Sequence, residues 1–422
     1  MAKNQIIDIL FQGIEVGKIG YDEDARKSFF QYNPDYIDSD KYRKLFPYII
    51  RKTKSVQVFS NYEGESFRGL PPMIADSLPD MFGNIIFKEW LEASHKDVTK
   101  ITPLEQLTYV ANRGMGALEY LPAKEIPKGT TINVEEMAEV VGKVLDLKTS
   151  IEEKGLSDKA LLNIFKIGTS AGGARPKILV SEHKESKRLI PGDIEISDDY
   201  NHYLIKLSIN DDLYSKEKVE YIYYKIATIL GIDMMFCKLI DDKHFATLRF
   251  DRQNGEKQHI LTASGMIGWD FKKPENSTYE NLFSLCVDLG LPHKDIQMLF
   301  KRMVFNIVFA NIDDHLKNFS FIYNKEKDKW NLAPAYDLTY PLDALMNYLR
   351  TTRAMSINGK RNNINLEDIL KIADDFTIKD AKKIVEDVVK ATETFRPLCE
   401  EYNIPPKVID SIIKEFEHFN FN

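Results

Sequence analysis

A chain of 422 residues with 43% hydrophobic content is too long for one ordinary core and requires two or three well-packed domains. Its net charge of -7, from 57 basic and 64 acidic residues spread along the chain, excludes a protein that grips nucleic acid by its own electrostatics, so a DNA role needs a partner. Three widely spaced cysteines, scattered histidines and no apolar run of bilayer-spanning length exclude a disulfide framework, a histidine-built metal centre and a membrane protein, and point to the reduced cytoplasm.

Residues 5–21 alternate and turn at Gly13 and Gly17, which predicts a β-hairpin, with further β-rich sequence to about residue 60. In "TPLEQLTYVAN", Thr102 is the expected helix N-cap, Pro103 the first helical residue and Glu105 the partner that completes a capping box. The polar, turn-rich "AKEIPKGTTIN" (123–133) sets the first domain boundary near residue 125. The second unit, 126–250, reads strand ("PKILV", 176–180), charged loop (182–200), strand ("HYLIKLS", 202–208) and helix (215–230, ended by Gly231). A strand pair, "FCKLI" and "HFATLRF", follows and turns at "DDK". From 251 to 422 helical sequence dominates, with capping-type starts at Ser277 with Glu280, Asn365 with Asp368 and Thr377 with Asp380.

The stretch "KIGTSAGGARPKILV" (166–180) fits two motifs loosely. Gly168, Ser170 and Gly172 spell GxSxG, but a nucleophile elbow must run into a helix, and this loop runs into β-branched residues. A Walker A loop fails as well, because Ala174 stands where the lysine belongs. What remains is an amide-rich loop with little side-chain bulk, able to lie close against phosphates as the glycine-rich loop of protein kinases does. A plain glycine-rich turn is the alternative.

Phosphoryl transfer needs a cation on the nucleotide phosphates, oxygen ligands for Mg²⁺ and a carboxylate for the acceptor hydroxyl. Lys206 interrupts the apolar strand "YLIKLS", and Glu220 lies on the following helix where it can pair with that ammonium; a solvated surface charge is the competing reading of either residue. "NIDDHLKNFSFIY" (311–323) follows the apolar "RMVFNIVFA" and sets Asp313 five residues before Asn318, the interval of the kinase HRDxxxxN loop. Asp313 is the expected proton acceptor and Asn318 a Mg²⁺ ligand. Asp337, in "AYDLTY" after a predicted hairpin, takes the place of the metal-binding DFG aspartate. Asp314, His315 and Lys317 rank second, as supporting residues.

Six stretches together resemble the HipA-like serine/threonine kinases, the toxin components of bacterial toxin–antitoxin modules: "RGLPPMIADSLPD", "NRGMGALEYLPA", "GTSAGGARPK", "LRFDR", "NIDDHLKN" and "LAPAYDL". The resemblance implies an α+β, bilobed kinase-like fold: an N-terminal subdomain (1–125), a β-rich lobe with the glycine loop and ATP lysine (126–250), and a helical lobe with the catalytic loop (251–422). It implies ATP and Mg²⁺ as cofactors. ATP would contact Gly168, Thr169, Ser170, Ala171, Gly172, Gly173, Lys177, Lys206 and Glu220, with an adenine hinge near Thr247 to Phe250; Asn318 and Asp337 would hold the metal. Ser170 matches a loop serine that family members autophosphorylate, which ejects the loop and stops ATP binding. The substrate would be a protein hydroxyl, on an aminoacyl-tRNA synthetase or another translation component. A HipB-like helix-turn-helix antitoxin would neutralise the kinase and bring it to DNA indirectly, with no membrane involved. Arg175 and Pro176 stand where family members often carry a polar and then an acidic residue. The competing functions are a catalytically idle corepressor and a kinase of small molecules.

Overall fold

The computed structural model describes residues 5–79, 81–93, 101–124, 132–145, 175–192, 196–209, 213–346 and 351–419. The first sheet is antiparallel, in the order β4-β3-β2-β1-β5, from β1 (Gln5–Phe11), β2 (Ile14–Asp22), β3 (Lys27–Tyr32), β4 (Gln57–Phe59) and β5 (Leu118–Leu121). Ile7, Ile9 and Phe11 alternate into the core, as a half-buried strand requires. The β1–β2 turn falls at Gln12 and Gly13, both with positive φ, the geometry of a two-residue hairpin loop. Gly17 is not a turn residue: it pairs with Ile9 and Tyr32 inside β2, where a Cβ would come 2.4 Å from Gln31 O. Close approach of the neighbouring strand, rather than chain reversal, requires glycine there.

Three helices follow: α1 (Met81–Ala93), α2 (Pro103–Val110) and α3 (Val134–Leu145). Thr102 caps α2 by accepting from Glu105 N at 3.1 Å, with Pro103 at the first position; the Glu105 carboxylate lies 3.8 Å from Lys124. The second sheet runs β7-β6-β8-β10-β9, from β6 (Lys177–His183), β7 (Leu189–Pro191), β8 (Tyr200–Lys206), β9 (Cys237–Ile240) and β10 (His244–Leu248). The expected loop 182–200 thus contains a short strand, β7, recruited by pairing with β6. Helix α4 (Lys216–Ile229) joins β8 to β9, capped by Ser215 and ended at Gly231 with φ +69°.

The rest is mainly helical around a small sheet. Strands β11 (Arg252–Gln253) and β12 (Glu256–Lys257) form a hairpin, and β13 (Ile260–Thr262) pairs with β14 (Ser320–Asn324), which pairs with β15 (Lys329–Leu332). Around them lie α5 (Tyr279–Asp288), α6 (His293–Val308), α7 (Leu366–Asp375) and α8 (Ala381–Ala391). The Asn365–Asp368 capping box forms in both directions. The other two expected starts shift. Thr278, not Ser277, caps α5, because Ser277 is buried and its hydroxyl donates to Lys273 O. Thr377 closes the turn after α7, its N–H on Asp374 O at 3.2 Å, and α8 begins only at Ala381.

Two apolar cores result. Side chains of α1 and α3 (Phe82, Ile86, Phe87, Met137, Val141) pack on Ile178, Val180, Tyr203, Ile205 and Ala246 of the second sheet. A larger core runs without interruption from Ile7, Ile9 and Phe11 of the first sheet to α4, α6 and the last helices.

Candidate active site

Lys206 ends β8 and is buried, an expensive position for an ammonium unless carboxylates surround it. They do. Ser215 accepts from Lys218 N at 3.1 Å and sets the register of α4, so that Val219, Ile222, Tyr223 and Ile226 enter the core while Glu220 meets Lys206. Lys206 Nζ donates to Glu220 Oε1 and Oε2 at 2.6 and 2.9 Å, and also to Asp337 Oδ1. Burial works against the charge of Lys206, but the Asp337 and Glu220 carboxylates outweigh it and raise the lysine above its ordinary range. Burial likewise opposes ionisation of Asp337, yet Lys206 and then Lys177 hold its carboxyl well below the usual range. Lys177 is buried on β6 directly opposite Lys206.

The second half of the site comes from the loop after α6. Ala310 adopts a left-handed φ of +53°, which turns the chain out of the helix into 311–318. Asn318, at the end of a 3₁₀ turn (Leu316–Asn318), donates Nδ2 to Asp313 O at 2.7 Å, so the five-residue interval closes a compact loop. The Asp313 carboxylate is exposed to the cleft, with His315 Nε2 3.9 Å away. Partial enclosure raises the Asp313 carboxyl; His315 draws it down, while the Asp337 and Asp314 carboxylates add to the rise. Strands β14 and β15 then carry the chain back to Asp337, itself at φ +54° and held by Asn311 Nδ2 on its carbonyl at 3.1 Å. A small cavity opens there, with Asn306, Asn311, Asp314, Asn318, Tyr336 and Asp337 in its lining.

The structure therefore brings Lys177, Lys206, Glu220 and Asp337 together and sets Asn318 and Asp337 on one cavity, with Asp313 outside its lining but near enough for its carboxyl to feel that of Asp337. Gly168, Thr169, Ser170, Ala171, Gly172 and Gly173 lie outside the described residues. Thr247 sits on β10 opposite Leu204 and Cys237, and Phe250 is buried with its ring 5.8 Å from that of Tyr336, at the junction of the lobes. Asp314 is fully buried, bonded to Tyr279, Arg353 and the Met355 N–H, and forms part of the inner wall of that cavity. His315 packs on Phe271 at 4.9 Å, and Lys317 lies over the same ring at 5.3 Å.

Sequence reasoning missed Asn306, Asn311, Tyr279 and Arg353 around Asp314. The one sequence signal is Asn306 itself, a polar residue in the midst of an apolar helix. It also missed what "LRFDR" does. Asp251 is buried and accepts from Arg249 Nε and Nη2 (2.9 and 2.8 Å), Arg252 Nη1 (2.9 Å) and Gly116 N (2.8 Å), while Arg252 donates to the Gly114 and Gly116 carbonyls. This bolts "NRGMG" onto the segment that follows β10. In the same way Asp76 of "RGLPPMIADSLPD" accepts from Thr262 N and Oγ1 at 2.7 and 2.9 Å.

Among the described residues no group of three His, Cys, Asp or Glu side chains is placed to hold a metal by itself. Asp337, ionised, and Asn318 line the same cavity, and a carboxylate with an amide oxygen is the kind of partial donor set Mg²⁺ accepts when phosphate oxygens and water complete its shell. Among the described residues, also, no helix is long and apolar enough to cross a membrane.

Residues 169–395 match the family of the HipA-like C-terminal domain, and residues 7–121 match that of the HipA N-terminal domain. A Haemophilus influenzae protein named "Putative kinase" is 24% identical over 288 residues, 59% of this chain and 80% of the relative. "Putative kinase Y4dM" of Sinorhizobium fredii is 26% identical over 218 residues, 46% of this chain and 51% of the relative. Among solved structures, the Shewanella oneidensis toxin–antitoxin complex of HipA, HipB and operator DNA provides a chain that superposes with a TM-score of 0.65 at 16% identity, covering 97% of this chain and 96% of that one.

Proposed function

The chain belongs to the HipA-like family, whose C-terminal domain alone matches more than half of its length, and on that premise we propose that it is a protein kinase transferring the γ-phosphate of ATP to a serine or threonine hydroxyl. The observation that carries the proposal is Lys206, buried between Glu220 and an Asp337 that shares a cavity with Asn318. Glu220 holds the ammonium in place for the nucleotide phosphates. Asp337 and Asn318 would hold Mg²⁺, which when bound neutralises charge on the phosphates. Asp313 orients the acceptor hydroxyl and takes its proton, and its exposure keeps it within reach of a side chain offered by another protein.

The names of the two relatives are in keeping with this reading, and the fold shared with a chain crystallised with HipB and operator DNA favours a HipB-like partner. An acidic kinase would reach DNA through that partner's basic surface. The proposed substrates are a component of translation, such as an aminoacyl-tRNA synthetase, and Ser170 of the chain itself. The test is incubation with labelled ATP and Mg²⁺, with mass spectrometry of Ser170. The parent should incorporate phosphate and Asp313→Asn should not. A parent that binds a HipB-type repressor yet neither binds ATP nor incorporates phosphate would establish the idle corepressor instead.

A further inference from the structure

Asp313 is exposed, yet both of its neighbours in the chain are pinned from behind by one segment. Ile312 O accepts from Ala354 N at 2.7 Å. Asp314 Oδ1 accepts from Met355 N at 3.3 Å, and its Oδ2 accepts from Arg353 Nη1 at 2.6 Å and Tyr279 OH at 2.7 Å. The segment is itself anchored: Ser356 N donates to Ser277 O at 3.0 Å, and Arg361 Nη2 donates to Pro274 O and Ser277 O at 2.7 and 3.1 Å.

The same arginine reaches toward the second carboxylate of the site. Arg353 Nη2 donates to Asn306 O at 3.2 Å. The Asn306 side chain donates to Tyr279 OH at 3.1 Å and accepts from Asn311 Nδ2 at 2.9 Å, and Asn311 Nδ2 also donates to Asp337 O at 3.1 Å. Arg353 is thus joined to the Asp314 carboxylate and, through Tyr279, the Asn306 side chain and Asn311, to the carbonyl of Asp337, while the main chain of its neighbour Ala354 holds Ile312 on the other side of Asp313. The link to the Asp337 carbonyl matters because Asp337 is held at φ +54°, a conformation that costs a non-glycine residue energy unless its surroundings over-determine it.

We propose that Arg353 is a positioning residue for phosphoryl transfer: through Asp314 and Asn306 it fixes the main chain that carries Asp313 relative to the main chain that carries Asp337. The inference rests on the kinase reading above and assigns a role to residues that touch neither nucleotide nor acceptor. Phosphoryl transfer depends on placement, and a 1 Å displacement of reacting groups costs about a hundred-fold in rate. A guanidinium is suited to the task because its fork serves Asp314 and Asn306 at once; a lysine has one nitrogen to offer.

The single variant Arg353→Gln leaves Asp314 charged and buried and could fail to fold, so the decisive variant is the neutral pair Asp314→Asn with Arg353→Gln. With no charge stranded, its melting midpoint should stay near that of the parent. Its kcat for self-phosphorylation should fall by about ten- to a hundred-fold while KM for ATP moves by less than about three-fold, and amides of 311–318 should exchange about ten-fold faster with those of α6 unchanged. Arg353→Lys should recover stability ahead of kcat. A neutral pair with kcat and loop exchange both at the parent's level would overturn the proposal, leaving the ion pair as packing alone. If the parent itself neither binds ATP nor transfers phosphate, it is the kinase reading that fails; exchange at 311–318 then decides the tether by itself, and unchanged protection there defeats it.

Discussion

His259 offers a prediction whose size can be worked out. It is fully enclosed by Phe11, Tyr323 and Trp330, with ring centroids at 5.7, 6.4 and 5.4 Å, and both ring nitrogens are buried with no hydrogen-bond partner among the described residues. Burial alone pushes its pKa down to about 3. The unfolded chain binds a proton near pH 6.5, so below that pH the unfolded state holds more protons than the folded one and stability falls with falling pH. At pH 5 the imidazole has cost about 1.5 decades of proton binding, or about 2 kcal/mol relative to pH 8. His259→Phe removes this term along with two unsatisfied nitrogens, and at pH 8 should be close to neutral or mildly stabilising. Urea unfolding of both proteins at pH 8 and pH 5 measures the difference, because other titrating groups cancel on subtraction. If parent and variant lost stability equally between the two pH values, to within about 0.5 kcal/mol, the enclosure of His259 described here would be wrong.

Replacing Lys206 by methionine should strand the Glu220 and Asp337 carboxylates, lower stability by about 3–5 kcal/mol and abolish the thermal shift produced by ATP with Mg²⁺ in differential scanning fluorimetry. Asp251→Asn leaves two buried guanidinium groups without their charge partner and should also cost about 3–5 kcal/mol in urea unfolding. Burial opposes the charge of Asp251 but Arg249 and Arg252 depress its pKa further, so its contribution is complete above the ordinary aspartate range and lost as pH falls below it; the stability difference between parent and variant should narrow there. Gly265→Ala places a Cβ 2.5 Å from Asp76 Cγ and should lower the melting midpoint, by overpacking worth about 1–3 kcal/mol.

What could be read from the sequence was whatever the chain keeps local. Asp313 and Asn318 are legible because one loop closes on itself through the Asn318 to Asp313 hydrogen bond. Lys206 and Glu220 are legible because a strand and the helix that follows it fix their separation. The turn at 241–242 is equally local, since its two aspartates adopt positive φ as a tight hairpin demands. Gly17 was misread because its constraint lies across a strand ladder, at Gln31, and no local pattern distinguishes a turn glycine from one required by a neighbour. Arg353 was invisible for the same reason: its partners Asp314 and Asn306 lie 39 and 47 residues away.

The motifs that carried the family resemblance divide along the same line. "NIDDHLKN" and "LAPAYDL" bear groups that face the cleft, whereas "RGLPPMIADSLPD", "NRGMGALEYLPA" and "LRFDR" serve as joints: Tyr120 on Ser77, Asp251 on Gly116 and Arg252 on Gly114 among themselves, and Asp76 on Thr262. Those joints tie the first sheet to the segment that follows β10, and the core that begins at Ile7 continues into α6, which leads into the 311–318 loop. A partner protein seated on the first sheet would therefore press on the same framework that holds Asp313 and Asp337. A tight-binding partner should then slow amide exchange at 311–318 without touching that loop, and in Asp251→Asn, with one of the joints broken, that protection should be weaker.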